Sequence, residues 1–250
     1  MGLNNDIASD LANQYNGLIE KLPGAELHWV QKLRENSITA FKEIGLPTVH
    51  NESWKYTNIN KIRHENFLPA SFIPPQAEIQ LPANDMLDIC AYKIVLINGS
   101  LVKSLSDIGE MPDGIALKSI NSITENSLSQ LIEFKRTPMA ALNTAAFSDF
   151  LYFDILEGTQ IDKPIHLISV ALAETAPVMF HPRFTINAGP NSKATFLESH
   201  IGLGAEAYLS NSVSEIELGA NATLHHYKIQ NEYKGATHVA ASEVRIAEKA

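Results

Sequence analysis

A carboxylate and an imidazole in the last third of the chain are the first side chains whose spacing could support chemistry. Glu198 and His226 follow the similar segments 194–197 and 222–225, so they occupy equivalent places if those segments are stacked copies of one unit. Stacked strands lie about 4.8 Å apart, which would let the pair share a hydrogen bond or supply part of a metal site. A metal site needs more than two protein ligands, so a polar ladder on the outer surface of the stack is the simpler interpretation.

The other reactive side chains do not indicate a catalytic centre. Cys90, the only cysteine, lies among apolar residues with no flanking cation, which predicts a buried and inert thiol. Adjacent His225 and His226 would face opposite sides of a strand and could not easily share an ion. Glu215 and Glu217 would share one face of a strand, and we interpret them as solvated exterior rather than as an acid–base pair.

Sequence motifs for nucleotide, cofactor or metal chemistry do not occur in the chain. It has no nucleophile elbow, phosphate-binding loop, dinucleotide fingerprint or zinc-protease helix. A single cysteine also excludes an internal disulfide and a cysteine-rich zinc or cluster site within this chain alone. We therefore predict no catalytic, cofactor-binding or metal-binding residue, and no enzyme activity.

Composition indicates a folded protein that binds neither nucleic acid nor membranes. Hydrophobic residues make up 45% of 250 residues, which is enough for a sizeable core. The formal net charge of −9, from 28 acidic and 19 basic residues, disfavours nucleic acids and anionic membranes. The sequence shows neither a run of about 18 apolar residues nor a signal-peptide core. We expect a cytoplasmic location.

The segment 181–250 organises the chain because it contains repeated units of two short alternating strands. An offset of 28 residues aligns Ala194 with Ala222 and also places Ile216 on Val244. The first copy needs a gap of two residues at its corner. A period between about 20 and 50 residues is typical of stacked repeats that bury one another's apolar faces. The pattern predicts a strand solenoid, or β-helix, and a flat antiparallel sandwich is the alternative.

Three regions follow from the pattern along the chain. Residues 1–66 are predicted to form a helical amino-terminal domain, with helices over 5–22 and 25–44. Residues 67–138 are predicted to form a linker and strand segment. Residues 139–250 form the incomplete β-helix core, whose first turn is built from strands on either side of Gly158.

The middle region contains the clearest local signal. Apolar alternating runs flank Asn98-Gly99, which predicts a hairpin with a type I′ turn. The other elements predicted there are an extended proline-rich connector over 67–82, a strand over 115–117 and a short helix over 128–135 that stops at Pro138.

Large aromatic side chains stand close together in residues 45–57, which read Gly-Leu-Pro-Thr-Val-His-Asn-Glu-Ser-Trp-Lys-Tyr-Thr. Trp54 and Tyr56 can bury wide faces as packing anchors, which is the commoner use of such residues. A ligand or partner contact is the alternative. The block is similar to the amino-terminal signature of the SufB/SufD family, and of SufD in particular. The hairpin at 95–99, the segment 181–198 and the later Thr237-His238 resemble further blocks of that family.

The resemblance covers nearly the whole chain and implies a fold and a function. It implies a helical amino-terminal domain followed by a right-handed parallel β-helix. It also implies a non-catalytic scaffold that joins a SufB-like paralogue and two copies of a SufC-like ABC ATPase to assemble iron–sulfur clusters. The cluster would be handled by the full complex, so no cofactor is assigned to this chain, and a homodimer is a further option.

One departure from the family limits what the resemblance implies. Family members continue further, with more β-helix and a helical domain that carries a Lys-Cys-Ser-His-Gly-type segment and the ATPase contact. Cys90 does not lie in such a segment, so no cluster ligand is assigned to this chain. We expect the carboxy-terminal part to be missing, because the third repeat stops at Ala250. The functional alternatives are a β-helix carbohydrate-active enzyme and a general protein-interaction solenoid.

Overall fold

The structure, a computed structural model, describes residues 2–70, 81, 89–107, 111–128 and 131–250. Its helices are α1 (Gly2–Asn13), α2 (His28–Ile44), α3 (Asn60–His64) and α4 (Pro138–Ala146). The predicted helical amino terminus is confirmed. The first helix ends at Asn13 rather than near residue 22, and the chain then turns through Gly17, whose φ is 78°. Across the described residues, no helix combines the length and the apolar character that a membrane crossing requires.

The helix predicted over 128–135 is wrong for the residues that are described there. Residues 131–136 form bends and turns, and a helix begins, rather than stops, at Pro138. Proline suits the first helical position because its missing N–H would have no partner there and its φ is already helical. Of the predicted connector over 67–82, residues 71–80 and 82 lie outside the described part of the chain.

Twelve strands occur in the described residues and form two sheets. They are β1 (Leu68–Pro69), β2 (Tyr92–Ile97), β3 (Ser100–Leu101), β4 (Ile115–Lys118), β5 (Phe150–Ile155), β6 (Ile165–Ala173), β7 (Val178–Phe180), β8 (Arg183–Ala188), β9 (Lys193–Gly204), β10 (Tyr208–Leu218), β11 (Thr223–Asn231) and β12 (Ala236–Ile246). The first sheet has the order β1-β7-β10-β8-β5-β4, with β12 also paired to β10, and the second has the order β11-β9-β6-β2-β3.

The predicted β-helix is confirmed, with about three turns over residues 150–246. Each turn crosses from the first sheet to the second, as β5 leads to β6, β8 to β9 and β10 to β11. Pairing between successive turns is parallel throughout. Only β3 and β4, which lie outside the stack, pair in the antiparallel sense. The flat antiparallel sandwich is therefore wrong.

The register of the repeats agrees with the sequence in one sheet and departs from it in the other. Ile216 lies opposite Val244, as the offset of 28 residues predicts. Ala194, however, lies opposite Leu224 rather than Ala222, which is an offset of 30 residues. The two corners before these strands have equal length, so no gap is needed there. The difference of two residues falls in the loops that lead from β9 to β10 and from β11 to β12.

The space between the sheets is filled by inward-facing apolar residues at alternate positions. Phe196 lies at its centre, with its ring centroid 5.1 Å from that of Phe153 and 5.5 Å from that of Phe184. The predicted alternation of Phe184 and Ile186 on the inner face is confirmed. The predicted hairpin is confirmed too, because Asn98 and Gly99 have φ values of 48° and 80°, as a type I′ turn requires.

The outer face of the first sheet is covered rather than exposed. Side chains of α1, α2 and α4 pack against Met179 and Leu209 in one apolar cluster. Under this cover, Glu215 is buried and lies 3.3 Å from the guanidinium of Arg183, and it also accepts a hydrogen bond of 3.1 Å from the Ile132 N–H. The interpretation of Glu215 as solvated exterior is therefore wrong, because helices cover this face of the strand. Glu217, near the end of β10, is partly exposed.

The predicted buried state of Cys90 is also wrong. Cys90 is exposed, because it lies in a bend just before β2 rather than in the strand itself. The domain boundaries after residues 66 and 138 stay a prediction.

Candidate functional site

The inward face of β9 changes from aromatic to charged along the strand. Phe196 belongs to the inner core, and Glu198 and His200 follow it at alternate positions, which share one face of a strand. Glu198 is 1% exposed and His200 is 2% exposed. Both side chains therefore lie inside the solenoid, and the predicted polar ladder on its outer surface is wrong.

Three basic side chains surround the Glu198 carboxylate. The Nε2 atom of His200 lies 2.7 Å from Oε1, and Nζ of Lys228 lies 3.1 Å from the same oxygen. The Nε2 atom of His226 lies 3.1 Å from Oε2. The predicted hydrogen bond between Glu198 and His226 is confirmed. By register, however, Lys228 lies opposite Glu198, and His226 lies opposite Phe196, whose ring it contacts edge-on at 5.6 Å.

The charges in this cluster are fixed by its contacts. Burial alone would raise the pKa of Glu198, but hydrogen bonds from His200 and His226 and the charge of Lys228 hold that pKa well below its usual range. Burial lowers the pKa of His200, against the opposing effect of Glu198. Near neutral pH, Glu198 is therefore a carboxylate, and neutral His200 donates its Nε2–H to it.

A second polar pair lies beside the first. His238 on β12 meets His200 edge-on, with 4.5 Å between the ring centroids. Its Nδ1 atom lies 3.0 Å from Oε2 of Glu232, at ion-pair distance but without hydrogen-bond geometry. Gln230 and Tyr208 donate hydrogen bonds to Glu232. Burial raises the pKa of Glu232, but His238 and Gln230 outweigh it, so the pKa is lowered.

Together these residues form a polar cluster inside the last described turn, which we call the inner polar cluster: Glu198, His200, His226, Lys228, Glu232 and His238. Its carboxylates and bases face one another, so protons can be redistributed among them without leaving a buried charge unpaired. In the described part of the chain, no group of three or more His, Cys, Asp or Glu is arranged to hold a metal ion. The His200 and His226 ring nitrogens point at carboxylate oxygens instead.

Neutralising the centre of this cluster should destabilise the fold. We expect Glu198→Gln to lower the free energy of unfolding by about 2 kcal/mol, because hydrogen bonds to a charged group contribute about 1.5–3 kcal/mol and Lys228 would lose its counter-ion. Urea unfolding followed by circular dichroism measures the change. Glu243→Gln, on an exposed residue of β12, is the matched control and should change little. Equal effects of the two variants would contradict a stabilising role of the cluster.

Buried neutral histidines should make stability depend on pH. His181 accepts at Nδ1 from the Asn211 amide, 3.1 Å away, and donates from Nε2 to the Tyr15 hydroxyl, 2.7 Å away. A second proton would face the amide donor, and burial lowers the pKa of His181 to about 3. Burial, with a smaller effect of Lys93, likewise lowers the pKa of His166 to about 4.

The sign of this pH dependence follows from linkage. The unfolded histidine, with a pKa of about 6.5, binds a proton that the folded one refuses, so stability is full above that pH and falls as the pH drops. For His181 we expect a loss of about 2 kcal/mol between pH 6.5 and 5. Urea titrations at several pH values should show a shallower slope for His181→Gln than for the parent chain. His225→Gln, on an exposed residue, should keep the parent slope; an unchanged slope in His181→Gln would contradict the assignment.

The aromatic block of residues 45–57 is divided by the structure. Trp54 packs against the apolar cluster beneath the helices, as the anchor interpretation predicts. Tyr56 is 91% exposed, so for this residue the anchor interpretation is wrong. Sequence reasoning also missed His200, Glu232 and His238, although their alternation after Phe196 was visible.

Comparison with known proteins identifies the family. A family model described as the SufBD protein N-terminal region matches residues 5–167, and one described as the SufBD core domain of SUF-system FeS cluster assembly matches residues 170–250. The chain belongs to the SufBD family. Membership in the SufBD family does not favour the alternative of a carbohydrate-active enzyme.

Curated relatives of this SufBD chain carry related descriptions. It is 24% identical over 226 residues to an iron–sulfur cluster assembly SufBD family protein of Synechocystis sp., covering 84% of the chain and 49% of that protein. It is 25% identical over 266 residues to the iron–sulfur cluster assembly protein SufD of Escherichia coli, covering 97% and 55%. It is 21% identical over 248 residues to the chloroplastic protein ABCI7 of Arabidopsis thaliana, covering 94% and 51%. The chain spans about half the length of the curated relatives that it matches.

Proposed function

We propose that the chain is a non-catalytic scaffold component of iron–sulfur cluster assembly. The observation that carries this proposal is the match to both SufBD models, which together span residues 5–167 and 170–250. Two relatives are themselves described as iron–sulfur cluster assembly proteins. The cluster is cargo of the assembly in this proposal, and the ATP chemistry belongs to a partner.

The architecture supports a scaffold role on physical grounds. Parallel ladders connect successive turns strand by strand, and apolar residues pack both between the sheets and beneath the helices. Interiors packed in this way resist deformation and transmit strain. The buried charges are paired within the chain, as Glu198 is with Lys228 and Glu215 with Arg183. Such a body suits holding partners at fixed distances.

The partners we propose are a SufB-like paralogue and a SufC-like ABC ATPase, acting together in the cytoplasm. SufBD family membership and the likeness to SufD of Escherichia coli support this assignment. We expect the longer assembly, rather than this chain alone, to bind and release the cluster.

Co-expression tests the proposal directly. The affinity-tagged chain is produced with the SufB-like and SufC-like proteins of its own organism, and light scattering after size-exclusion chromatography gives the stoichiometry. We expect one complex that contains all three proteins, and an apoprotein that acquires its cluster faster from the complex than from the SufB-like and SufC-like proteins alone. Isolated chain that hydrolyses ATP, or chain that never enters a complex, would contradict the proposal.

A further inference from the structure

A groove of about 590 Å³ opens beside the exposed end of the aromatic block. It is lined by residues between Thr48 and Arg63, and we call it the 48–63 groove. Its volume falls in the range of about 300–1,000 Å³ that is usual for binding sites. Val49, at 59% exposure, and Tyr56 present apolar surface to solvent along its wall. None of these residues belongs to the inner polar cluster.

The walls of this groove are held by the fold. The Thr48 backbone N–H and hydroxyl both donate to Oδ1 of Asn51, which fixes the turn after α2. Trp54 packs into the apolar cluster, and Ile59 is buried at the start of α3. Arg63 donates from Nη2 to the Pro47 carbonyl at 3.1 Å and so connects the two sides. A site whose shape exists before binding loses less entropy when it is occupied.

The charge of the groove is opposite to that of the chain. Lys55, Arg63 and His50 contribute to its lining, and none of the described residues lining it is acidic. The chain as a whole has a formal net charge of −9. The Nζ atom of Lys55 lies 5.5 Å from the centroid of the Tyr56 ring, so a cation and an exposed aromatic face are presented side by side. Complementary charge steers encounters, and a tyrosine next to a cation is a common binding hot spot.

We propose that the 48–63 groove binds an acidic peptide segment of a partner protein, with carboxylates at Lys55 and His50 and an apolar side chain against Tyr56 and Val49. The groove is long enough for an extended segment, and its polar hydroxyl and amide groups can pair with peptide backbone. This inference does not depend on the proposed role in cluster assembly, so either can fail alone.

Selection from a random library of 12-residue peptides displayed on phage tests the proposal. The immobilised full chain is the target, and the selected peptides are then measured by fluorescence anisotropy. We expect them to be enriched in Asp and Glu next to an aromatic or aliphatic residue, and to bind more weakly as salt is raised. The double variant Lys55→Glu/Tyr56→Ala should weaken their binding by about tenfold or more.

A matched pair of neighbours supplies the control. Tyr233 and Lys234 are also an adjacent, exposed tyrosine and lysine, but they lie between β11 and β12 and outside the groove. Tyr233→Ala/Lys234→Glu should leave peptide binding within about twofold of the parent chain. Selected peptides without acidic enrichment, peptides whose binding survives the groove variant, or competition by inorganic phosphate alone at equal charge would each overturn the proposal. Thermal unfolding of both variants checks that they fold.

Discussion

Glu215→Gln is expected to lower the free energy of unfolding by about 3–5 kcal/mol, the cost of removing one partner from a buried ion pair. Arg183 is 1% exposed, and its Nη2 atom lies 3.3 Å from the Glu215 carboxylate. Burial lowers the pKa of Arg183 and Glu215 opposes that effect, so the carboxylate is what keeps the buried cation tolerable. The remaining contacts of Arg183, to Asn143 and Thr144, are to neutral oxygens. Urea unfolding gives the change.

The same strand provides the control for this prediction. Glu217, two residues further along β10, pairs with Arg245 at 3.2 Å, but the Arg245 side chain is 58% exposed. Exposed pairs contribute about 0–1 kcal/mol, so Glu217→Gln should be nearly neutral. If Glu215→Gln and Glu217→Gln had equal effects, the helical cover over β10 would not isolate the Arg183–Glu215 pair from water.

Arg34→Met is expected to cost about 3 kcal/mol, although methionine keeps much of the apolar stem. The Arg34 guanidinium is buried and donates to the carbonyls of Ala145, Phe147 and Pro23 at 2.8–3.2 Å. It therefore caps the carboxy-terminal end of α4, and it also lies 4.0 Å above the Phe147 ring. Burial, and then the charge of Arg183, lower the pKa of Arg34 to about 9, which shows how unfavourable the charge would be without those carbonyls.

Thermal unfolding of two arginine variants tests this role. Arg136, whose side chain is 80% exposed and pairs only with Glu133 among the contacts given for it, is the matched site, and Arg136→Met should change stability by less than about 0.5 kcal/mol. Arg34→Lys separates charge from geometry, because lysine keeps the charge but cannot reach several carbonyls with one planar fork. A Lys variant as stable as the parent chain would show that charge alone accounts for the effect.

The strand solenoid could be predicted from the sequence because alternation and repetition are local signals. The pairing of Ile216 with Val244 is an example, since both lie in alternating strands of equal phase. The pairing of Glu198 was misplaced by two residues because the alanines at 194 and 222 were aligned. Asn191 and Asn221, with φ of 57° and 56°, mark the equivalent corners, and aligning them gives the observed offset of 30 residues.

Burial of charged residues could not be predicted in the same way. Glu215 has the alternation of an exposed strand residue, and only its distant partner Arg183 and the covering segment around Ile132 make it an interior group. Likewise Glu198 is stabilised by Lys228, which stands opposite it only in the correct register. Contacts between residues about 30 or more positions apart depend on the finished fold, and a pattern within one strand does not contain them.

The turn at Asn98 also bears on the chemical ageing of the protein. An asparagine followed by glycine is the dipeptide most prone to deamidation, which begins when the next backbone nitrogen attacks the side-chain amide. Here that amide is engaged at both ends, because Nδ2 donates to the Leu172 carbonyl at 2.9 Å and Oδ1 accepts from the Leu172 N–H at 2.8 Å. Conversion to aspartate would set a negative charge against a carbonyl, so the hairpin would come away from β6 once the damage occurred. The lifetime of this bond therefore depends on how rarely the hairpin opens.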